Sequence, residues 1–159
     1  MTTKRKIIDY ISNQEITETP EEVGAVQPFS EELVNTYRYP KEHIKTRPQF
    51  RVKSRPSDSG KSYPIDIAVF RGKSHTDKDV YIIVECKKKD RKDGEEQLRI
   101  YLDMSNAEFG VWYNGSDKIY LHKTQKEGRN AYKVIPNIPL YGKNINNVGR
   151  TYREDLTPP

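Results

Sequence analysis

Hydrophobic positions change their spacing several times along the chain, and each change marks an expected element. Residues 1–18 are mostly polar; Ile7, Ile8 and Ile11 stand at the spacing of one helical turn, so this stretch reads as a loosely attached N-terminal segment. Thr19-Pro20-Glu21-Glu22 is a helix start. Thr19 can cap, Pro20 takes the first helical position, and Glu22 completes a capping-box pattern. Val23, Val26, Leu33 and Tyr37 follow at helical spacing, with Pro28 imposing a kink or restart. "YPKEHI" turns out of this helix.

From Pro48 the period drops to two. "PQFRVKSR" alternates apolar and basic residues, as a half-exposed strand does. "PSDSGKS" has strong turn chemistry and predicts a hairpin into "YPIDIAVF". After the turn "RGKSHTDKD", "VYIIVECKK" is apolar on both faces up to Val84, the mark of a central strand. "KDRKDG" breaks it. A helix follows from Asp93 to about Asn106, with Leu98, Tyr101, Leu102 and Ser105 on its inner stripe. "FGVWYNG" and "KIYLHKT" pair across Asn114-Gly115 as a second hairpin. Beyond Ile135 the chain is rich in Pro and Asn and mostly extended. The order helix, three strands, helix, two strands predicts an α/β fold, a central mixed β-sheet flanked by helices, over residues 19–135. Residues 136–159 form an extended C-terminal segment.

Composition narrows the setting. The 159 residues hold one domain with one core, and a hydrophobic fraction of 33% keeps that core modest. A formal net charge of +5 permits a polyanionic partner. The lone cysteine excludes an internal disulfide and a zinc-finger framework and fits a reducing cytoplasm. No apolar run is long enough for a membrane span or a secretory signal, so a cytoplasmic protein with no membrane partner is expected. His43, His75 and His122 are scattered, and there is no Gly-rich phosphate loop through which this chain would hydrolyse ATP.

Charged residues interrupt the two best strands. Asp66 sits between Ile65 and Ile67, and Tyr81-Ile-Ile-Val84 runs into Glu85, Cys86 and Lys87. Alternation along a strand gives Glu85 and Lys87 one face, with Tyr81 and Ile83 before them, while Asp66 shares its face with Ala68 and Phe70. As hairpin neighbours, the two strands would bring Asp66 and the Glu85/Lys87 pair together at one sheet edge. Two adjacent carboxylates repel unless a proton or a cation lies between them. Hard oxygen ligands suit Mg²⁺, and a neighbouring ammonium can stabilise charge developing on a phosphodiester. A plain surface ion pair, worth about 0–1 kcal/mol, explains Glu85 and Lys87 equally well. Spacing leaves both readings open. Lys88, Lys89 and Arg91 continue a basic run that reads as a solvated strand end or as a contact to DNA phosphates. Arg51, Lys53 and Arg55 line one face of an earlier strand and extend that basic surface. Cys86 reads as a small apolar residue rather than a nucleophile, and Trp112 as core or rim rather than a base-stacking platform.

Pro64-Ile65-Asp66, with Glu85-Cys86-Lys87 nineteen positions after Asp66, resembles the PD-(D/E)xK nuclease signature. "QLRIY" from Gln97 matches the Gln-x-x-x-Tyr motif of the RecB-like branch. "EEVGAVQPFSEELVNTYRYPKEHI" resembles the opening helix of the N-terminal endonuclease domain of type I restriction enzyme R subunits, and "YREDLTPP" the passage toward their motor domain. The resemblance covers residues 20–159, and departs where Val26-Gln27 stands in place of the usual Arg-Gln pair. It implies a restriction-endonuclease-like fold. It further implies Asp66, Glu85 and the backbone carbonyl of Cys86 as ligands of Mg²⁺ (Mn²⁺ as substitute), and Lys87 as the catalytic cation. Glu22 would orient water at the metal or else cap its helix. Gln97 and Tyr101 would reach the active site or a DNA phosphate, or else form core and rim. The implied partners are double-stranded DNA and the methylation and specificity subunits of a type I complex, with ATP used only by a motor domain outside this chain. Two other readings stay open: a non-catalytic DNA-binding or assembly module of the same fold, and a repair or recombination nuclease.

Overall fold

The computed structural model describes residues 4–53 and 61–148. Arg55 and the "YREDLTPP" passage lie outside them. Ten strands and two α-helices are described: β1 (Lys6–Ile8), β2 (Glu15–Thr17), α1 (Gln27–Asn35), β3 (Ile44–Lys45), β4 (Phe50–Lys53), β5 (Ser62–Ile65), β6 (Ile67–Phe70), β7 (Val80–Cys86), α2 (Glu95–Asp103), β8 (Phe109–Tyr113), β9 (Lys118–Lys126) and β10 (Arg129–Ile135). The main sheet has the order β10-β9-β8-β7-β6-β3. Only β7 and β8 run parallel within it, which needs the crossover that α2 supplies. The fold is thus mixed α/β, consistent with a restriction-endonuclease-like architecture.

Helices cover both sheet faces, which is why β7 is apolar on both. Phe29 and Leu33 of α1 pack with Ile67, Val69, Ile82 and Val84. On the opposite face, Leu98, Tyr101 and Leu102 of α2 pack with Ala68, Phe70, Ile83 and Trp112. Burying each large apolar side chain contributes about 1.5–3 kcal/mol. The hairpin between β8 and β9 turns at Asn114, whose Oδ1 accepts from the N–H groups of Ser116 and Asp117. Gly115, at φ 92°, lies where a Cβ would stand 2.6 Å from the Gly24 carbonyl oxygen.

Several expected elements differ. Ile7 and Ile8 belong to a β-hairpin rather than a helical turn, with Ile7 opposite Ile16. Asp9 organises its bend. The Asp9 carboxylate accepts from the main-chain N–H and hydroxyl of Ser12, from Gln27 Nε2 and from Thr46 Oγ1, tying the hairpin to the body of the fold. The first helix opens with a π-helical turn, Glu22–Val26, with Gln27 between it and Pro28. A proline ring crowds the carbonyl four residues back, and the wider turn makes room without a break. Val23 is exposed, and Tyr37 is buried beyond the helix end. "YPIDIAVF" is two strands, because the chain bends at Asp66; Ile65 and Ala68 consequently share a face, and the expected alternation stops there. A register shift between Val69 and Phe70 breaks alternation on β7 as well, so Tyr81 packs with Ile82 rather than Ile83. Ser105 lies past the end of α2. β10 was not expected. It is an outer strand with few buried residues, reached through Glu127 and Gly128, both at positive φ as a two-residue hairpin loop requires.

Candidate functional site

Antiparallel pairing of β6 with β7 puts Ile67 opposite Val84, so the bend at Asp66 comes abreast of Glu85. Asp66 Oδ2 accepts the Cys86 main-chain N–H at 2.8 Å. The Asp66 and Glu85 carboxyl groups lie close enough for the charge of Asp66 to bear directly on Glu85. Lys87 Nζ stands 3.9 Å from Glu85 Oε1, and the Lys87 N–H bonds the Tyr113 carbonyl, keeping the strand end attached to β8. The three residues named from the sequence therefore lie together at one end of the two strands.

Burial, and then the charge of Asp66, push Glu85 up to about 9, with Lys87 opposing. Burial also raises Asp66, against the Cys86 N–H that favours its charge. Two buried carboxyls in contact hold a proton between them at neutral pH unless a cation takes its place. This donor set fits a hard, oxygen-seeking cation such as Mg²⁺ with open positions left over. Among the described residues no cluster of three or more His, Cys, Asp and Glu side chains is arranged to hold a metal ion. A cation here would rest on two carboxylates, backbone and solvent.

Tyr101 is buried beside the pair; burial and then the charges of Glu85 and Asp66 raise its hydroxyl, which accepts from Gln97 Nε2 at 2.7 Å. The helix start shows two different glutamates. The Glu22 N–H donates to Thr19 Oγ1 at 3.0 Å, so Thr19 caps as expected. The Glu22 carboxylate does not close the capping box. It pairs with Arg47 and accepts from Gln27 Nε2 at 3.0 Å. Glu21 is half-buried, has no hydrogen-bond or ion-pair partner among the described residues, and is raised by burial and by the charge of Asp66. Both glutamates line a cleft of about 460 Å³ with Arg47, Gln49 and Asp66. Arg47 and Gln49 were missed because nothing in their local pattern separates them from other polar loop residues.

The basic residues divide. Lys88 and Lys89 are exposed and unpaired among the described residues, whereas Arg91 is paired with Asp93. The side chain of Arg51 bonds Ser62, and Arg51 and Lys53 line a different cleft, of about 370 Å³, with Asp77 and Asp103. Cys86 is buried and its thiol is raised by burial and by Asp66 and Glu85, as a packed apolar residue and not a nucleophile. Trp112 is core; its indole N–H donates to the Asp93 carbonyl at 2.8 Å. No helix among the described residues is long and apolar enough to cross a membrane.

Searches of curated proteins and of solved structures found no match. Residues 20–139, from the helix start to just past β10, match the family described as type I restriction enzyme R protein N terminus (HSDR_N). With the match spanning most of its length, this chain belongs to that type I restriction enzyme R protein N-terminal family.

Proposed function

We propose that the chain is a Mg²⁺-dependent DNA endonuclease domain of the PD-(D/E)xK type, the nuclease part of a type I restriction R subunit. The observation that carries this reading is the convergence of Asp66, Glu85 and Lys87 at one end of β6 and β7. Asp66, Glu85 and the Cys86 carbonyl would hold the cation, which when bound supplies Lewis acidity to a phosphodiester. The Lys87 ammonium would sit against the phosphate oxygens, where negative charge grows as a water oxygen bonds phosphorus and the P–O bond to the leaving deoxyribose oxygen breaks. Tyr101, steadied by Gln97, lies beside the carboxyl pair and would help place the phosphate. Glu21, with no partner of its own, fits the auxiliary acid better than Glu22. Lys88 and Lys89 would neutralise DNA backbone, with Arg91, Arg51 and Lys53 more distant contributors. By family analogy the complete assembly adds methylation and specificity subunits and an ATP-driven motor, and cuts double-stranded DNA after translocation.

Plasmid nicking in Mg²⁺ and in EDTA, by wild type and by Asp66→Ala, Glu85→Ala and Lys87→Ala proteins of verified fold, tests this reading. Nicking only by wild type and only in Mg²⁺ is expected. Equal nicking by all four would place the activity elsewhere. Lys88 and Lys89, exposed and unpaired among the described residues, could hold DNA backbone without any metal and so support a second reading, a non-catalytic DNA-binding or assembly module. It requires salt-sensitive DNA binding with no Mn²⁺ uptake by calorimetry, whereas a nuclease site takes up Mn²⁺ and loses it in the Asp66 and Glu85 variants.

A further inference from the structure

The turn between β7 and α2 is held against the side chain of Lys87. Gly94, at φ 106°, immediately precedes α2, and its carbonyl accepts the Leu98 N–H at 3.0 Å. A Cβ built on Gly94 would stand 2.6 Å from Lys87 Cε and 3.1 Å from Trp112 Nε1. The turn is pinned to β8 and its hairpin loop at two points. Trp112 Nε1–H donates to the Asp93 carbonyl at 2.8 Å, and Asn114 Nδ2 donates to the Arg91 carbonyl at 2.8 Å. Trp112 is also the register partner of Glu85 across β7 and β8. Trp112 therefore neighbours Glu85 across the two strands and also fixes the wall behind the ammonium.

The geometry points to Gly94 as a positioning residue for Lys87, with Trp112 fixing the turn that carries it; its bearing on cleavage rests on the nuclease reading above. A lysine stem is flexible, and an exposed one samples many rotamers. Here the stem lies against bare backbone, with the ammonium directed toward Glu85. The Cβ collision falls on the far end of this movable chain. The easiest relief for any larger residue at position 94 is to swing the lysine out of the site, leaving the sheet intact. Positive φ adds strain for any L residue but does not select Lys87.

The test compares wild type, Gly94→Ala, Trp112→Phe, Lys87→Ala and the Gly94→Ala/Lys87→Ala double variant. The first measurement is brief acetylation read by mass spectrometry, with exposed Lys88 as internal reference. Lys87 should label at least fivefold faster, relative to Lys88, in Gly94→Ala and Trp112→Phe than in wild type. The second pairs plasmid nicking with Mn²⁺ calorimetry. Gly94→Ala should nick at least tenfold more slowly with Mn²⁺ affinity within threefold of wild type. The double variant should be no slower than Lys87→Ala alone. Unchanged Lys87 labelling in the folded single variants overturns the proposal, as does a Gly94→Ala protein that loses Mn²⁺ affinity as steeply as it loses rate. Should Gly94→Ala fail to fold, Trp112→Phe decides by the same two readouts. A wild type that neither nicks nor binds Mn²⁺ removes the nuclease reading, and labelling still decides whether Gly94 holds the lysine.

Discussion

The main-chain N–H of Cys86 donates to Asp66 Oδ2, joining the bend before β6 to the last residue of β7. A carboxylate that would otherwise end a strand is thereby turned toward Glu85. The strand junction and the candidate site are one arrangement, and properties of one can be read through the other.

The carboxyl pair should set the pH response of the metal-free protein. Glu85 ordinarily ionises near 4.5 but is pushed up to about 9 by burial and by Asp66. Between those values the folded state holds a proton that the unfolded state has released, so stability falls as pH rises through the window. The slope reaches at most about 1.4 kcal/mol per pH unit for one proton. Melting temperatures in EDTA should decline from pH 5 to 9, Glu85→Gln should flatten the decline, and added Mg²⁺ should offset it. A wild-type melting temperature that climbs over this range would contradict the assignment.

Asp9 should matter far more than its place in a polar N-terminal stretch implies. Burial raises its carboxyl, but hydrogen bonds from Gln27, Ser12 and Thr46 outweigh that and hold it below the ordinary value of 3.8. Its contribution is therefore present above that value and lost as pH falls through the folded one. Asp9→Ala leaves donors from three segments unpaired and should cost about 2–3 kcal/mol. Urea denaturation at pH 7 reads this directly; a loss under half a kcal/mol would show that the hairpin is not anchored there.

DNA binding should depend on Lys88 and Lys89 more than on Arg91. The two lysines are free among the described residues, whereas Arg91 is already neutralised by Asp93. Each phosphate contact contributes roughly 0.9 to the slope of log affinity against log salt. Replacing both lysines with Ala should lower that slope by about twice this amount. Arg91→Ala should change it less. Titrations of a labelled duplex at several salt concentrations would separate the cases, and equal effects of all three residues would argue against this placement.

Cys86 offers a probe that needs no mutation. It is the single cysteine of the chain, it is buried, and its thiol is held well above its ordinary value by burial and by four nearby acids, Asp66 and Glu85 foremost. Thiolate is the reactive form, so alkylation at pH 8 should proceed only through opening of the fold. Its rate should follow the denaturant dependence of unfolding. Rapid labelling of the native protein would mean that the end of β7 is exposed.

Legibility in the sequence followed the range of the interactions. The central strand, the stripe of Leu98, Tyr101 and Leu102, and the Asn114-Gly115 turn were readable because period, capping and turn chemistry act within a few residues. So were Asp66, Glu85 and Lys87, since acids and an amine in apolar strands stand out wherever they occur. The hairpin at residues 6–17 was not readable. Its bend depends on Asp9 meeting Gln27 and Thr46, which are remote in the chain. β10 was missed because an outer strand with few buried residues lacks the apolar signal of an inner one. The neighbouring acids Glu21 and Glu22 look alike in sequence; only packing gives one to Arg47 and Gln27 and leaves the other without a partner.

Taken alone, the order of residues determined which chemistry was available: two carboxylates and an amine at strand ends, on an α/β scaffold with a basic surface. Tertiary structure decided where each group points. The bend at Asp66, the register of β6 on β7 and the turn at Gly94 all rest on contacts between residues far apart in the chain. No local period encodes such contacts, because they form only when the two sheet faces close on their helices.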